Sequence, residues 1–203
     1  MIAVIDYGVG NLFSVEKALV SLGAEVKVTR DASDLQAAEK LVLPGVGAFG
    51  DCMHNLEATG LIPELKKQVA VGKPLLGICV GLQILFEGSE ETPGVSGLGL
   101  IKGQVKKIQA PGLKVPHMGW NSLQIRAQRE QMDLFAGLGE HPYVYFVHSY
   151  HAVPEDGDVV TARTDYGSLL TAAVAQGNVQ ATQFHPEKSG DVGLKILRNF
   201  LEG

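Results

Sequence analysis

Apolar positions along this 203-residue chain follow two alternating rhythms. Residues 2–7 form a short apolar run that ends in the glycine turn of Gly8 and Gly10, after which Leu12, Val15, Leu19 and Leu22 recur at helical spacing before Gly23. The run predicts a strand and the recurrence a helix. The succession continues with strands over 25–30 and 40–43, a helix over 49–58 that stops at Gly60, a second helix over 62–71 and a strand over 74–78. Alternation of this kind predicts a mainly parallel central sheet with helices on both faces, a three-layer α/β fold. The middle of the chain reads differently. Strands over 98–108 and 143–147 have little helix between them apart from a short stretch near 131–138, and an antiparallel addition is expected there. Strands over 159–163, 172–175 and 179–184 then precede a closing helix with Leu194, Leu197 and Leu201 on one face. No linker, repeat or low-complexity tract breaks the pattern, and one domain over 1–203 is the simplest reading.

Composition narrows the function classes. Apolar residues make up 45% of the chain, enough for a sizeable core without a disulfide or metal framework. A formal net charge of −5 argues against a phosphate-binding surface, so nucleic acid is not an expected partner. Two cysteines, Cys52 and Cys79, are too few for a secreted disulfide scaffold and suit reduced thiols in the cytoplasm. The amino-terminal run lacks the basic start of a signal peptide, and the longest apolar stretch, 74–86, is too short and too glycine-rich to span a bilayer. A cytoplasmic protein without membrane contact is expected.

Two local patterns carry chemistry. Leu75-Leu76-Gly77-Ile78-Cys79-Val80-Gly81-Leu82-Gln83 is an apolar strand that runs through Gly-x-Cys-x-Gly into a helical pattern, the form of a nucleophile elbow. The glycines leave room where backbones crowd at a sharp strand-to-helix turn, and the turn aims the start of the following helix at the sulfur, which favours the thiolate. The alternative is a small buried apolar cysteine, the reading given to Cys52, which lies at helical spacing with Phe49 and Leu56. Near the other end, residues 179–184 deliver His185-Pro186-Glu187. Proline biases the residue before it toward extended geometry, in which residues two apart point the same way, so the imidazole and the carboxylate sit side by side. Such a carboxylate holds one tautomer of the imidazole while the imidazole moves a proton to and from the thiol. A surface His and Glu at a strand end is the competing reading.

With these residues quoted, the chain resembles the class I, triad-type glutamine amidotransferases over nearly its whole length. Gly77 through Gln83 and His185-Pro186-Glu187 carry the general resemblance. Asp6-Tyr7-Gly8-Val9-Gly10-Asn11-Leu12, Leu43-Pro44-Gly45-Val46-Gly47-Ala48-Phe49, Pro116-His117-Met118-Gly119-Trp120-Asn121, Tyr145-Phe146-Val147-His148-Ser149-Tyr150 and Thr182 through Gly190 narrow it to a branch that hands ammonia to a separate cyclase subunit. Val80 stands where relatives more often carry leucine, at a position expected to act through its backbone. The resemblance implies attack of Cys79 on glutamine, a γ-glutamyl thioester, release of ammonia and hydrolysis to glutamate, with His185 as base and Glu187 as its orienter. It places oxyanion donors at the backbones of Val80 and Val46. Glutamine is held by Gln83 and Glu91, with Gly47 and the backbone of His148, Ser149 and Tyr150 completing the pocket. His117, Trp120, Asn121, Tyr143 and Lys188 are implied to face the cyclase subunit, a (β/α)8 barrel, in a heterodimer. No metal and no organic cofactor is called for. Read from the residues alone, the Gly45-Val46-Gly47 loop is also a tight turn, Gln83 and Glu91 are also a solvated helix end, and a tryptophan beside glycine in a loop is as often core as surface. The turn at Asp6 to Leu12 lacks both Gly-x-Gly-x-x-Gly and a Walker lysine, so no nucleotide is expected there. Two rival functions remain at this point, a free-standing cysteine hydrolase acting on peptides or γ-glutamyl compounds and a non-catalytic subunit that keeps the fold.

Overall fold

The computed structural model describes residues 1–126 and 133–203. The first half runs β1 (Ile2–Ile5), α1 (Leu12–Ser21), β2 (Val26–Thr29), α2 (Ala32–Ala37), β3 (Lys40–Gly45), α3 (Phe49–Ala58), α4 (Ile62–Ala70), β4 (Leu75–Cys79), α5 (Val80–Gln83) and β5 (Gly88–Ser89). The second half runs β6 (Gly103–Lys107), β7 (His117–Ser122), β8 (Gln124–Ile125), β9 (Tyr143–His148), β10 (Tyr150–Pro154), β11 (Val160–Asp165), β12 (Leu169–Gln176), β13 (Val179–Thr182) and α6 (Gly190–Glu202). The main sheet has the order β2-β1-β3-β4-β13-β12-β11-β8. Its first five strands are parallel, and β12, β11 and β8 extend it antiparallel.

Burial explains why the parallel half was readable. Every residue of β1, β4 and β13 is buried, and side chains alternate between the two faces of a strand, so both faces are covered. A strand of that kind must be apolar throughout, as Ile2-Ala3-Val4-Ile5 and Leu75-Leu76-Gly77-Ile78 are. Helix α1 packs with α6 and α2 with α4, each turning a buried stripe such as Gly193, Ile196, Leu197 and Phe200 of α6 toward the core. Among the described residues, no helix is long and apolar enough to cross a membrane.

Several expectations need correction. The strand expected over 98–108 is confined to β6, because Gly99 takes a positive φ of 63° and bends the chain out of strand geometry before pairing begins at Gly103. The helix expected near 131–138 is a turn over 134–137, its first residues lying outside the described ones. Strand β13 stops at Thr182, short of the expected end at residue 184. Antiparallel structure does occur in the middle, as the β7–β9 ribbon and the β6–β10 pair, yet the carboxyl-terminal strands β11 and β12 are antiparallel as well. Residues 117–122, read as a loop, form strand β7.

Candidate active site

Strands β3, β4 and β13 lie side by side, with Gly45 opposite Cys79 and Thr182 opposite Ile78, so their carboxyl ends open on the same edge of the sheet. In an open parallel sheet this edge is where ligands bind. The Gly45-Val46-Gly47 loop, Cys79 and His185 therefore meet there although they are far apart in sequence.

Cys79 stands at a true elbow. It has φ 58° and ψ −113°, and among the described residues no other non-glycine has positive φ. Such a conformation costs on the order of 1–3 kcal/mol and persists only where its surroundings enforce it. Glycines make the turn possible. A Cβ at Gly81 would run into the carbonyl of Leu43, one at Gly77 would lie 2.9 Å from the carbonyl oxygen of Gly81, and one at Gly45 would lie 2.7 Å from the Gly81 nitrogen. The helix expected behind the sulfur is α5, a single turn of four residues. What the turn does supply is the Val80 N–H at its start, where no residue lies one turn back to accept it.

His185 Nδ1 donates to Glu187 Oε1 at 2.7 Å, which leaves Nε2 for the thiol. The pair is side by side by a different route from the one expected. His185 is extended (φ −97°, ψ 97°), but Pro186–Lys188 is a 3-10 turn, and the turn rather than a strand folds Glu187 back. Ser189, absent from the sequence reading, clamps this turn: its hydroxyl donates to the His185 carbonyl at 2.6 Å and accepts from the Tyr145 N–H at 3.0 Å. Burial lowers the pKa of His185, but hydrogen bonds and charges from Cys79 and Glu187 outweigh it and push the value up to about 9. The imidazole thus keeps its proton at neutral pH and loses it as pH rises through about 9. The kcat/KM for glutamine is expected to hold to about pH 9 and then fall. Glu187→Gln removes contributions that raise the value, so the fall should move to lower pH, with a loss of roughly 10⁴-fold against 10⁶-fold for His185→Ala. A pH–rate profile with an unmoved upper limb, or equal losses in the two variants, would detach Glu187 from the base.

A cavity of about 320 Å³ opens over the sulfur, lined by Val46, Gly47, Cys79, Val80, Gln83, Glu91, His148, Ser149, Tyr150 and His185 together with Pro116 and Val147. Every residue expected to contact glutamine lies on its wall. Gln83 is 3% exposed, which rules out a solvated helix end. Its Nε2 donates to the Tyr150 carbonyl and to Gln183 Oε1, both at 3.1 Å, and Gln183 Nε2 lies 4.0 Å from Cys79 Sγ. Gln183 had no sequence signal beyond being polar beside an apolar strand. Glu91 Oε2 accepts from the Phe49 N–H at 2.8 Å, fixing the carboxylate at the start of α3. Beneath the loop, the Tyr7 hydroxyl donates to the Pro44 carbonyl at 2.5 Å and Cys52 Sγ to the Val46 carbonyl at 3.3 Å. The Val46–Gly47 peptide thus turns its oxygen toward α3 and the Gly47 N–H the opposite way. Cys52 is wholly buried, and burial pushes its thiol up to about 11, in keeping with packing.

The residues expected to face a partner divide. Trp120 and Tyr143 are 56% and 58% exposed, Lys188 is exposed and Asn121 half-buried. His117 is 2% exposed and belongs behind that face, not on it. Alternation along β7 accounts for the difference: Met118 and Trp120 point outward, where they join Tyr145 and Val147 of the paired strand β9. Met118, 61% exposed, was not singled out in the sequence.

An elbow cysteine with a His–Glu pair at the carboxyl edge of a parallel sheet defines the class: a triad-type hydrolase of α/β fold. The chain belongs to the glutamine amidotransferase class-I family, whose model matches residues 3–203. It is 56% identical over 202 residues to a Methanothermobacter thermautotrophicus protein named imidazole glycerol phosphate synthase subunit HisH, covering 100% of this chain and 98% of that one. An Aquifex aeolicus protein of the same name is 51% identical over 198 residues, covering 97% and 94%. Among solved structures, one described as a glutamine amidotransferase aligns with TM-score 0.76 at 27% identity over 100% of this chain and 98% of that one. PurLQS from Thermotoga maritima aligns with the same TM-score of 0.76 at 25% identity, over 99% and 97%.

Proposed function

We propose that this chain is the glutaminase subunit of imidazole glycerol phosphate synthase, a single-domain cytoplasmic enzyme that hydrolyses glutamine and passes the ammonia to a cyclase subunit in histidine biosynthesis. The observation that carries the reading is the cavity in which Cys79, His185 and the glutamine-holding residues converge. At neutral pH His185 already carries a proton on Nε2, facing the sulfur, as well as the Nδ1–H held by Glu187, and the Cys79 thiolate paired with it attacks the side-chain amide carbon of glutamine. Negative charge then develops on the amide oxygen. Val80 N–H is one donor to it, and the Gly45-Val46-Gly47 loop supplies the second, from Val46, once the bound cyclase turns that backbone into the cavity. Such a donor is worth about 2.7–4 kcal/mol. Collapse expels the amine, protonated by His185, and leaves a thioester that water opens to glutamate by the same steps in reverse order.

Ammonia set free in water is diluted and protonated, so its transfer within a heterodimer has a physical reason. The acceptor in the cyclase is a phosphoribulosyl aminoimidazole carboxamide intermediate, and the products are imidazole glycerol phosphate and an aminoimidazole carboxamide ribotide. The outward face of the β7–β9 ribbon, with Trp120 at its centre and the cavity mouth beside it, is the docking surface. Trp120→Ala should weaken the heterodimer by roughly tenfold or more, the loss expected for a central aromatic anchor, with the fold retained. Titration calorimetry with the cyclase subunit checks this. Unaltered affinity would move the interface elsewhere.

A further inference from the structure

Two buried histidines take no part in the proposed chemistry. His117 of β7 and His148 of β9 sit directly opposite each other in the ribbon, and His117 Nδ1 lies 2.9 Å from His148 Nε2. At one end of this pair, Asn121 Nδ2 lies 3.2 Å from His117 Nε2 and 2.8 Å from the Asp165 carbonyl oxygen. At the other, His148 Nδ1 lies 2.9 Å from the Tyr150 carbonyl oxygen, which also accepts from Gln83.

The partners dictate the direction of every bond. A carbonyl oxygen only accepts, so His148 carries its proton on Nδ1 and presents a bare Nε2. That nitrogen needs a donor, so His117 is also protonated on Nδ1. Its Nε2 in turn accepts from Asn121, whose second proton goes to Asp165. Each donor has an acceptor and each ring is neutral. Surroundings agree: His117 is stacked between Phe146 at 4.6 Å and Tyr166 at 4.1 Å, and burial lowers the pKa of His117 to about 4 and of His148 to about 3. From Tyr150 the chain continues through Gln83 and Gln183 to the sulfur.

We propose that His117 and His148 are positioning residues that form a one-way hydrogen-bond relay, carrying docking on the Trp120–Asn121 strand into the glutamine pocket by setting the Tyr150 carbonyl and the Gln83 amide. In the free chain Gln83 is engaged with Tyr150 and Gln183 rather than open to a ligand. A shift of β7 on docking moves Asn121 and, through two rings with no slack, the carbonyl that Gln83 grips. The inference rests on the proposed glutaminase function, and it predicts a coupling that packing alone does not require.

The test uses the Cys79→Ala background, in which glutamine binds without being consumed. Calorimetry measures glutamine affinity with and without the cyclase subunit. The relay predicts a rise of about tenfold on adding the cyclase, within the usual range of coupling between sites, and the same factor for the effect of glutamine on cyclase affinity. Adding His117→Phe, which keeps the stacking and removes both hydrogen bonds, should bring that factor close to one, while His117→Asn, which restores a donor near the Nδ1 position, should recover part of it. An undiminished factor in the His117→Phe protein overturns the relay. Failure of glutamine or cyclase to bind the Cys79→Ala protein that keeps His117 instead refutes the underlying function. Nitrogen-15 spectra of the unmutated chain give a second readout that no folding defect confounds. Both rings should show the Nδ1–H tautomer, the minor one in free histidine, and both should shift when the cyclase docks. An Nε2–H tautomer in either ring contradicts the assigned direction.

Discussion

Cys79→Ala, assembled with the cyclase subunit, is expected to make no product from glutamine and to make it at the unmutated rate from added ammonia. Removing a triad nucleophile costs about 10⁶-fold in turnover, so glutamine-dependent synthesis should fall below detection. The acceptor chemistry lies in the other subunit and does not involve the sulfur. Fold loss does not confuse the result, because Cys79 already sits in a strained backbone conformation that alanine shares, and the side chain contributes only one buried sulfur. Equal loss of both activities would contradict the division of labour between the subunits.

Gly81→Ala should act on the fold as well as on the chemistry. The added Cβ would collide with the Leu43 carbonyl, which belongs to a central strand flanked by β1 and β4 and has no room to retreat. Overpacking against backbone costs about 3 kcal/mol, which for a chain of this size lowers Tm by roughly 6–12 °C. Relief by tilting α5 would carry the Val80 N–H off the oxyanion, with a further loss of about 10²–10³-fold in turnover. Gly139→Ala is the control, since a Cβ there meets nothing within 4 Å and φ is not in the left-handed region. Differential scanning calorimetry of the two variants, with glutaminase assays beside it, measures both effects. A Gly81→Ala protein as stable as Gly139→Ala would mean that the elbow does not need its glycine.

What was legible in the sequence was what burial and local geometry control. Strands β1 and β4 announced themselves because both faces are covered, and α3 was found over its full span because its stripe of Phe49, Cys52, Met53 and Leu56 follows the helical period. The elbow and the His-Pro-Glu turn are each written within a few residues, so Cys79, His185 and Glu187 were readable singly, before the sheet brought them together. Strand β7 was hidden for the opposite reason. Its buried face carries His117 and Asn121, engaged in hydrogen bonds, while its exposed face carries Met118 and Trp120, so polarity runs against the usual alternation. Helix α2, six residues behind the Asp31 cap, is too short to show a period. Gln183 and Ser189 act through long-range contacts, to Cys79 and Tyr145, that no spacing in the chain records.

Glutamate release by the unmutated chain, followed alone and then with the cyclase subunit and its acceptor ligand, tests the central claim most directly. Alone, the chain should turn over slowly, with the oxyanion loop held by the Cys52 Sγ–Val46 carbonyl hydrogen bond and its donor not yet turned in. With partner and acceptor bound, turnover should rise by roughly 10²–10³-fold, the worth of one correctly placed oxyanion donor, and one glutamate should appear for each ammonia incorporated. No glutamate above background in the presence of the cyclase would contradict the account.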